Sequence, residues 1–179
     1  MKKKIAIGLL AALVLAIGGL MTAAAMQPDN FRVERSREMA ASPDRIRPHL
    51  TDLREWAEWN PWRELDPNQR TTFSDPASGV GAYYTWEGND DVGTGRMEIT
   101  AITDGAVRYR LSFLEPFESS SDVEIALEPR GQRTRVVWSM SSENDFVSKI
   151  FGLFMDMESM VGGDFERGLV ALERAATGE

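Results

Sequence analysis

The chain has 179 residues, 42% of them hydrophobic, and a formal net charge of −8. Three lysines are the only charges before residue 27, so residues 27–179 carry −11, and an acidic surface of this kind repels nucleic-acid phosphates. The absence of cysteine excludes disulfides, and the single histidine, His49, argues against a histidine-based metal site or a Ser-His-Asp triad. We therefore expect no nucleic-acid partner, no metal and no cofactor.

The N-terminal segment is basic and then apolar, because three lysines precede residues 5–26, which contain no charge. About 20 apolar residues are enough for a helix to span a bilayer, and a basic start favours a cytoplasmic N-terminus. Residues 1–26 are therefore interpreted either as a single-span anchor in the cytoplasmic membrane or as a signal peptide cleaved near Ala25. Both alternatives place the rest of the chain on the extracytoplasmic, periplasmic side, with residues 27–30 as a linker.

The domain predicted for residues 31–176 opens with one strand and two short helices. Phe31–Met39 alternates in polarity but carries arginines on its apolar face, which is typical of a strand near a sheet edge. Ser42-Pro43 predicts the start of a first short helix, and Thr51 is the expected cap of the second.

Three tryptophans, Trp56, Trp59 and Trp62, then follow at steps of three. Asn60-Pro61 interrupts them and prevents a regular helix from continuing, because the residue before a proline is driven out of the α conformation. The indoles are thus expected at a helix end that runs into a loop. They either cap the end of the core or line the mouth of an apolar pocket, and the spacing is compatible with both.

From residue 70 to 142 the chain alternates apolar and polar residues between short turns, which predicts an antiparallel meander with one buried face. Glu115-Pro116-Phe117 predicts a kink or loop within it. The side chains expected on the buried face are Trp86, Met97, Ile99, Tyr109, Phe113, Val123, Trp138 and Met140.

The last stretch, Asp145–Ala176, has apolar residues at steps of three and four and is predicted to form one long α-helix with Asn144-Asp145 as its cap. Such a helix would cover the buried face of the sheet. Gly162-Gly163 disfavours the helix and has two interpretations: a bend that follows the sheet, or space for a ligand or for movement. The residues expected to face the sheet are Phe154, Met157 and Val161.

The order of these elements and several strings resemble the START-like, or helix-grip, superfamily (SRPBCC), in its bacterial polyketide cyclase/dehydrase-like branch. The strings are RVERSREMAASPDRI, TDLREWAEWNPW, SGVGAYYTWEGN, VGTGRMEIT, TRVVWSM and FMDMESMVGGDFERGL. The resemblance implies an α+β fold in which a curved antiparallel sheet of about seven strands wraps on a long C-terminal helix, with two short helices after the first strand. It implies a cavity between sheet and helix, but no common reaction.

Candidates for acid–base chemistry are few. His49 ends a short helix and is expected to be packed or exposed, while Glu87 lies next to a turn and is expected to be solvated. Arg96 and Glu98 lie opposite the buried face and are interpreted as an exposed cross-strand pair. Because no pair of carboxylates falls on a face assigned to the cavity, we expect no catalytic residue.

An apolar ligand site needs only a concave space lined by aromatic and flexible side chains. The residues expected to line it are Trp59, Trp62, Trp86, Met97, Tyr109, Phe113, Trp138, Phe154, Met157 and Val161, although each could instead fill a solid core.

The function favoured by the sequence is therefore binding or transport of a small hydrophobic molecule or lipid, by a protein held at the membrane through residues 5–26. One alternative is a polyketide cyclase/dehydrase-like enzyme acting on an aromatic or polyketide substrate. The other is a structural or partner-binding module that uses the sheet edge near Phe31 or the Trp56–Trp62 loop as its contact surface.

Overall fold

The structure is a computed structural model that describes residues 2–115 and 118–178, with side chains from residue 8 onward. The kink predicted at Glu115-Pro116-Phe117 lies outside the described residues, since Pro116 and Phe117 are not among them. The elements, in chain order, are α1 (Lys2–Ala25), β1 (Asn30–Met39), α2 (Pro43–Thr51), α3 (Leu53–Trp59), a 3₁₀ helix (Arg63–Leu65), β2 (Arg70–Phe73), β3 (Tyr83–Glu87), β4 (Thr94–Ile102), β5 (Ala106–Glu115), β6 (Ser119–Arg130), β7 (Arg133–Glu143), α4 (Phe146–Phe151) and α5 (Met157–Thr177).

The chain forms two compact units. The helical unit comprises Met1–Phe31 and Glu143–Met157, and it contains α1 and α4. The sheet unit comprises Arg32–Ser142 and Glu158–Glu179, and it contains nearly all of the sheet, the two short helices and most of α5.

The sheet has seven strands in the order β1-β7-β6-β5-β4-β3-β2, so the predicted meander is confirmed and β1 completes it beside β7. Consecutive strands from β2 to β7 pair antiparallel. Residues paired across antiparallel strands share a face, so the register Met97↔Leu111 and Val123↔Met140 sets these four side chains on the inner face. The α+β helix-grip architecture is therefore confirmed.

The long C-terminal helix is also confirmed, but its predicted start at Asp145 is wrong. The chain forms the short helix α4, leaves the helical path after Phe151, and begins α5 at Met157. Asp145 caps α4 alone, accepting a hydrogen bond from the Ser148 amide at 2.7 Å. Gly152, a poor helix former, directly follows α4. The spacing of apolar residues alone does not reveal that the helix is interrupted there.

The expected cap at Thr51 is wrong by one residue. Thr51 is the last residue of α2, and Asp52 caps α3 by accepting a hydrogen bond from the Arg54 amide at 2.9 Å. Ser42 occupies the predicted cap position of α2, but its side chain makes no capping hydrogen bond.

The glycine pair in α5 leaves space for an arginine. α5 runs unbroken through Gly162 and Gly163, and a Cβ on Gly162 would lie 2.1 Å from Nη2 of Arg35. The Arg35 guanidinium donates to Glu158 at 2.6 Å and to Glu166 at 2.9 Å, one turn before and one turn after this glycine. Gly162 thus lets β1 approach α5 closely, and the arginine on the apolar side of β1 has its partners on that helix.

Candidate functional site

Trp138 of β7 is the centre of an aromatic cluster on the inner face of the sheet. Its indole stacks on Phe165 of α5, with ring centroids 4.2 Å apart and 10° between the ring planes. The indoles of Trp56, Trp59 and Trp62 meet the same ring edge-on, at centroid distances of 5.5, 5.6 and 6.0 Å. Both geometries are favoured between aromatic rings. The cluster therefore holds α3 and the loop that follows it against both β7 and α5.

A second aromatic group surrounds Trp86 of β3. Its indole N–H donates to the carbonyl of Val92 at 3.0 Å, and its ring meets Phe113 edge-on at 5.5 Å. The ring occupies the space over Gly95 of β4, where a Cβ would lie 2.3 Å from Cζ2 of the indole. Gly95 is thus required for the close approach of this ring.

The rings of both groups, except that of Trp59, line one partly open cavity of about 140 Å³. Its surface is mostly apolar, and α3 with its following loop, strands β3 to β7, the β3–β4 loop and α5 all contribute to it. The lining residues are Trp56, Asn60, Trp62, Gln69, Tyr84, Trp86, Asp91, Val92, Met97, Leu111, Phe113, Val123, Trp138, Met140 and Phe165.

The cavity begins where the short helices stop filling the inner face. At the filled end Leu50 and Leu53 are fully buried, and the Tyr109 hydroxyl donates to the carbonyl of Leu50 at 2.7 Å. Leu111 and Phe113 continue the same strand beyond Tyr109, and both line the cavity. One strand therefore contributes to solid packing at one end and to an open space at the other.

Five of the ten predicted ligand-binding residues lie in this lining: Trp62, Trp86, Met97, Phe113 and Trp138. Trp59 and Tyr109 are buried next to it, with their polar atoms donating to the carbonyls of His49 and Leu50. Val161 is half-buried on α5 outside the lining. Phe154 and Met157 belong to the helical unit and are 74% and 38% exposed.

Several lining residues were not selected from the sequence. Tyr84 is paired with Met97 across β3 and β4, which places the Tyr84 side chain on the inner face. Alignment of these two strands is therefore the information that could have identified Tyr84 as a lining residue. Phe165 belongs to the apolar stripe of α5, whereas the predicted residues Val161 and Met157 lie one and two turns earlier and Phe154 precedes the helix. Asn60, Gln69 and Asp91 lie outside the regular strands and α-helices, where no periodic pattern identifies inward residues.

Apart from Asp91, which is exposed, the polar side chains that line the cavity are neutral. Burial raises the pKa of Tyr84 to about 12, with the nearby Trp56 indole acting in the opposite direction, so this hydroxyl stays protonated at neutral pH. The indole N–H groups of Trp56 and Trp138 are buried without a well-aligned hydrogen-bond acceptor among the described residues. Each such group costs about 1–3 kcal/mol when its donor is left unpaired.

The acid–base candidates lie away from this cavity. His49 lines an open surface groove, where its Nδ1 is 3.2 Å from Oε2 of Glu55 without the alignment of a hydrogen bond. Glu87 forms an exposed ion pair with Arg70. In the described part of the chain, no three His, Asp or Glu side chains converge in a way that would hold a metal ion.

The interpretation of Arg96 and Glu98 as a cross-strand pair is wrong. Both residues belong to β4, and they form an ion pair of 2.5 Å along one strand. Alternation sends residues two apart to the same face of a strand, so they meet without a partner strand. Arg96 makes its cross-strand contact with Tyr83 instead, with the guanidinium 3.7 Å from the ring centroid.

Solved structures with the same fold include proteins of different description. A protein from Mesorhizobium loti, MLL2253, is 17% identical, with 81% of this chain and 96% of that chain covered and a TM-score of 0.58. The Aha1 dimer from Colwellia psychrerythraea is 17% identical, covers 82% and 96%, and has a TM-score of 0.58. The di-domain aromatase/cyclase StfQ of the steffimycin pathway is 10% identical, covers 83% and 51%, and has a TM-score of 0.59.

At these identities the structural likeness establishes the fold alone. None of the curated proteins compared with the chain matches it significantly. One family matches residues 30–177, which is most of the chain and all of the sheet unit except its last two residues. By this match, the chain belongs to the family described as polyketide cyclase / dehydrase and lipid transport.

Proposed function

We propose that the sheet unit binds a small apolar molecule in the cavity beside α5. The observation that carries this proposal is the partly open space of about 140 Å³ with a mostly aromatic and aliphatic lining. Sites for small molecules are concave and apolar, with a few polar groups that orient the ligand. The family description, which includes lipid transport, supports the same class of function.

The volume limits the size of the ligand. A cavity of about 150 Å³ engineered into another protein binds benzene, whereas pockets for drug-sized ligands measure about 300–1,000 Å³. The cavity of about 140 Å³ therefore suits a single aromatic ring or a short acyl segment. A complete phospholipid would fit only after the Trp56–Trp62 loop and α5 had moved apart.

The polar groups suggest a ligand with one hydrogen-bond acceptor. Tyr84, Trp56 and Trp138 line the cavity; the Tyr84 hydroxyl is neutral, and the two indole N–H groups have no well-aligned acceptor among the described residues. A carbonyl or ether oxygen on an otherwise apolar ligand would give such donors a partner. A carboxylate would be less suitable, because a charge in this lining would lack a compensating cation.

The enzymatic alternative has less support from the site. A cyclase or dehydrase needs a group that abstracts a proton inside the pocket. Among the described lining residues there is no histidine, and the one carboxylate, that of Asp91, belongs to an exposed residue. A neutral Tyr84 is suited to donate a hydrogen bond but not to act as a base.

We also propose that α1 holds the protein at a membrane. Gly8–Ala25 is long and apolar enough to cross a bilayer, and its side chains are almost all exposed. A cleaved signal peptide would have the same properties, so N-terminal sequencing of the mature protein distinguishes the two. A protein in the membrane fraction whose N-terminal sequence still includes residue 5 supports the anchor. A mature chain that starts after Ala25 contradicts it.

The cavity proposal is tested with residues 27–179, checked for folding by circular dichroism. This protein is incubated with a mixture of single-ring aromatic ketones, short-chain esters and a bacterial lipid extract, and bound molecules are identified by native mass spectrometry. Leu111→Trp fills the cavity from β5, whereas Leu114→Trp places the same indole at a 52%-exposed site of that strand. We expect retention of single-ring or short-chain compounds by the wild type and Leu114→Trp, but not by Leu111→Trp.

Two results would contradict the cavity proposal. One is the absence of any retained compound from the mixture and from the lipid extract. The other is equal retention by both tryptophan variants, which would locate binding outside the cavity.

A further inference from the structure

The helical unit exposes an unusual amount of apolar surface next to α1. Residues 146–155, here called the apolar segment, include five large side chains that are 42–74% exposed. Soluble proteins rarely expose so many large apolar side chains together, and such patches mark contact with a partner or a membrane. The five are Phe146, Val147, Phe151, Phe154 and Met155.

Specific contacts hold the apolar segment at the C-terminal end of α1. α4 packs against α1. The Asn144 backbone amide donates to the carbonyl of Asp29 at 2.8 Å, and its side chain donates to the carbonyl of Pro28 at 3.1 Å. Lys149 forms an ion pair with Asp29, and its side chain is only 12% exposed. The segment is therefore attached to the linker that directly follows α1.

The charge of the apolar segment also fits a lipid surface. Lys149 is its only charged residue, and it is paired with Asp29, while residues 27–179 together carry −11. The segment thus presents no carboxylate to a bilayer, although carboxylates are frequent elsewhere. An element with exposed phenylalanines and a paired lysine is suited to the boundary between head groups and acyl chains.

We propose that the apolar segment inserts into the bilayer surface at the end of α1, as a second membrane contact beside the span. The inference rests on the proposed anchor, because a membrane-spanning Gly8–Ala25 places the neighbouring linker at the interface. Interfacial segments bury their apolar face about 5–10 Å into the head-group boundary. The occupant of the surface is therefore the lipid that surrounds α1.

The test uses the full chain, which contains no cysteine, so that single cysteines report on single positions. Phe154→Cys and Met155→Cys carry an environment-sensitive fluorophore in the apolar segment, and Gln132→Cys carries it in the exposed β6–β7 turn. Each protein is reconstituted in vesicles of phosphatidylcholine and phosphatidylglycerol, with and without a nitroxide-labelled lipid. Flotation of the vesicles measures separately whether the protein is bound to the membrane through its proposed anchor.

We expect all three proteins to float, and the nitroxide lipid to remove most of the emission at positions 154 and 155 but not at 132. Flotation without quenching at 154 and 155 would overturn this inference and leave the anchor in place. Failure of the proteins to float with the vesicles would overturn both the proposed anchor and the membrane contact of the apolar segment. Disulfide-linked pairs of the unlabelled Phe154→Cys protein, together with no quenching of the labelled protein, would identify a second copy as the occupant and also overturn the inference. Ligand binding in the cavity is measured independently by retention of small molecules.

Discussion

Gly168 of α5 and Trp138 of β7 are in direct contact, because the helix carries no side chain where the indole approaches it. A Cβ on Gly168 would lie 2.6 Å from Cζ3 of Trp138 and 3.2 Å from Cδ of Pro61. The indole is nearly fully buried and is held by three other tryptophans and Phe165, so it has little freedom to move. This contact sets how closely α5 approaches the sheet beside the cavity.

Replacement of this glycine is expected to destabilise the fold. Gly168→Ala should lower the free energy of unfolding by about 1–3 kcal/mol, the usual cost of an extra methyl group in a filled core. Gly163→Ala is the matched control on the same helix, since its Cβ would meet only Arg167 Nη1 at 3.8 Å. The free energy of unfolding of Gly163→Ala should rise by up to about 1 kcal/mol, because alanine favours the helix more than glycine does. Urea unfolding of both variants measures the difference, and equal changes would contradict the assigned contact.

The caps of the two short helices differ in a way that mutation can measure. Asp52→Ala removes the side chain that accepts a hydrogen bond from the Arg54 amide, and should cost about 1 kcal/mol. Ser42→Ala removes a residue at the equivalent position of α2 whose side chain makes no such bond, and should change stability little. Thermal unfolding of the two variants provides the comparison. A larger loss for Ser42→Ala would show that the capping residues are wrongly assigned.

Burial of Tyr84 predicts a loss of stability at alkaline pH. Its pKa is raised to about 12 in the folded state, so between its usual pKa of 10.0 and about 12 the unfolded chain ionises this phenol and the folded chain does not. The stabilising contribution is complete below pH 10 and is lost as the pH rises through this range. In Tyr84→Phe the fall in unfolding free energy above pH 10 should be shallower. An unchanged slope would mean that the phenol is not buried.

Glu173 predicts a loss of stability at acid pH. Burial raises the pKa of Glu173, but hydrogen bonds from Arg37 at 2.5 Å and from the Ala40 amide at 3.2 Å outweigh it and hold the pKa below its usual value. This contribution is present above that usual value and is lost as the pH falls through the lowered pKa. Glu173→Gln should cost about 1 kcal/mol at neutral pH and much less at pH values where the carboxylate is protonated. A pH-independent cost would contradict the assignment.

The strands were predictable because one face of the sheet is buried, and a period of two in the sequence records that face directly. The start of α5 was not predictable, because Phe154 continues the apolar spacing of this helix although the chain leaves the helical path between Phe151 and Met157. Here the spacing recorded apolar character rather than burial, and Phe154 is 74% exposed.

The cavity was predictable as a type of site but not residue by residue. Tyr109 and Leu111 lie two residues apart on the same face of β5, and sequence patterns treat them alike. The surroundings of the two residues differ only because α2 and α3 cover one and not the other. The Leu50 carbonyl accepts a hydrogen bond from the hydroxyl of Tyr109, while Leu111 borders the open space. Such a distinction depends on tertiary packing, which local periodicity does not record.

Calorimetric titration of residues 27–179 with acetophenone, a single ring that carries one carbonyl acceptor, measures directly whether the cavity binds a ligand. The cavity of about 140 Å³ predicts saturable binding with one site per chain, weakened in Tyr84→Phe and abolished in Leu111→Trp but retained in Leu114→Trp. Absence of saturable heat both for acetophenone and for toluene, which lacks the carbonyl, would show that the space beside α5 does not accept a ligand of this size and would rule out the proposed binding.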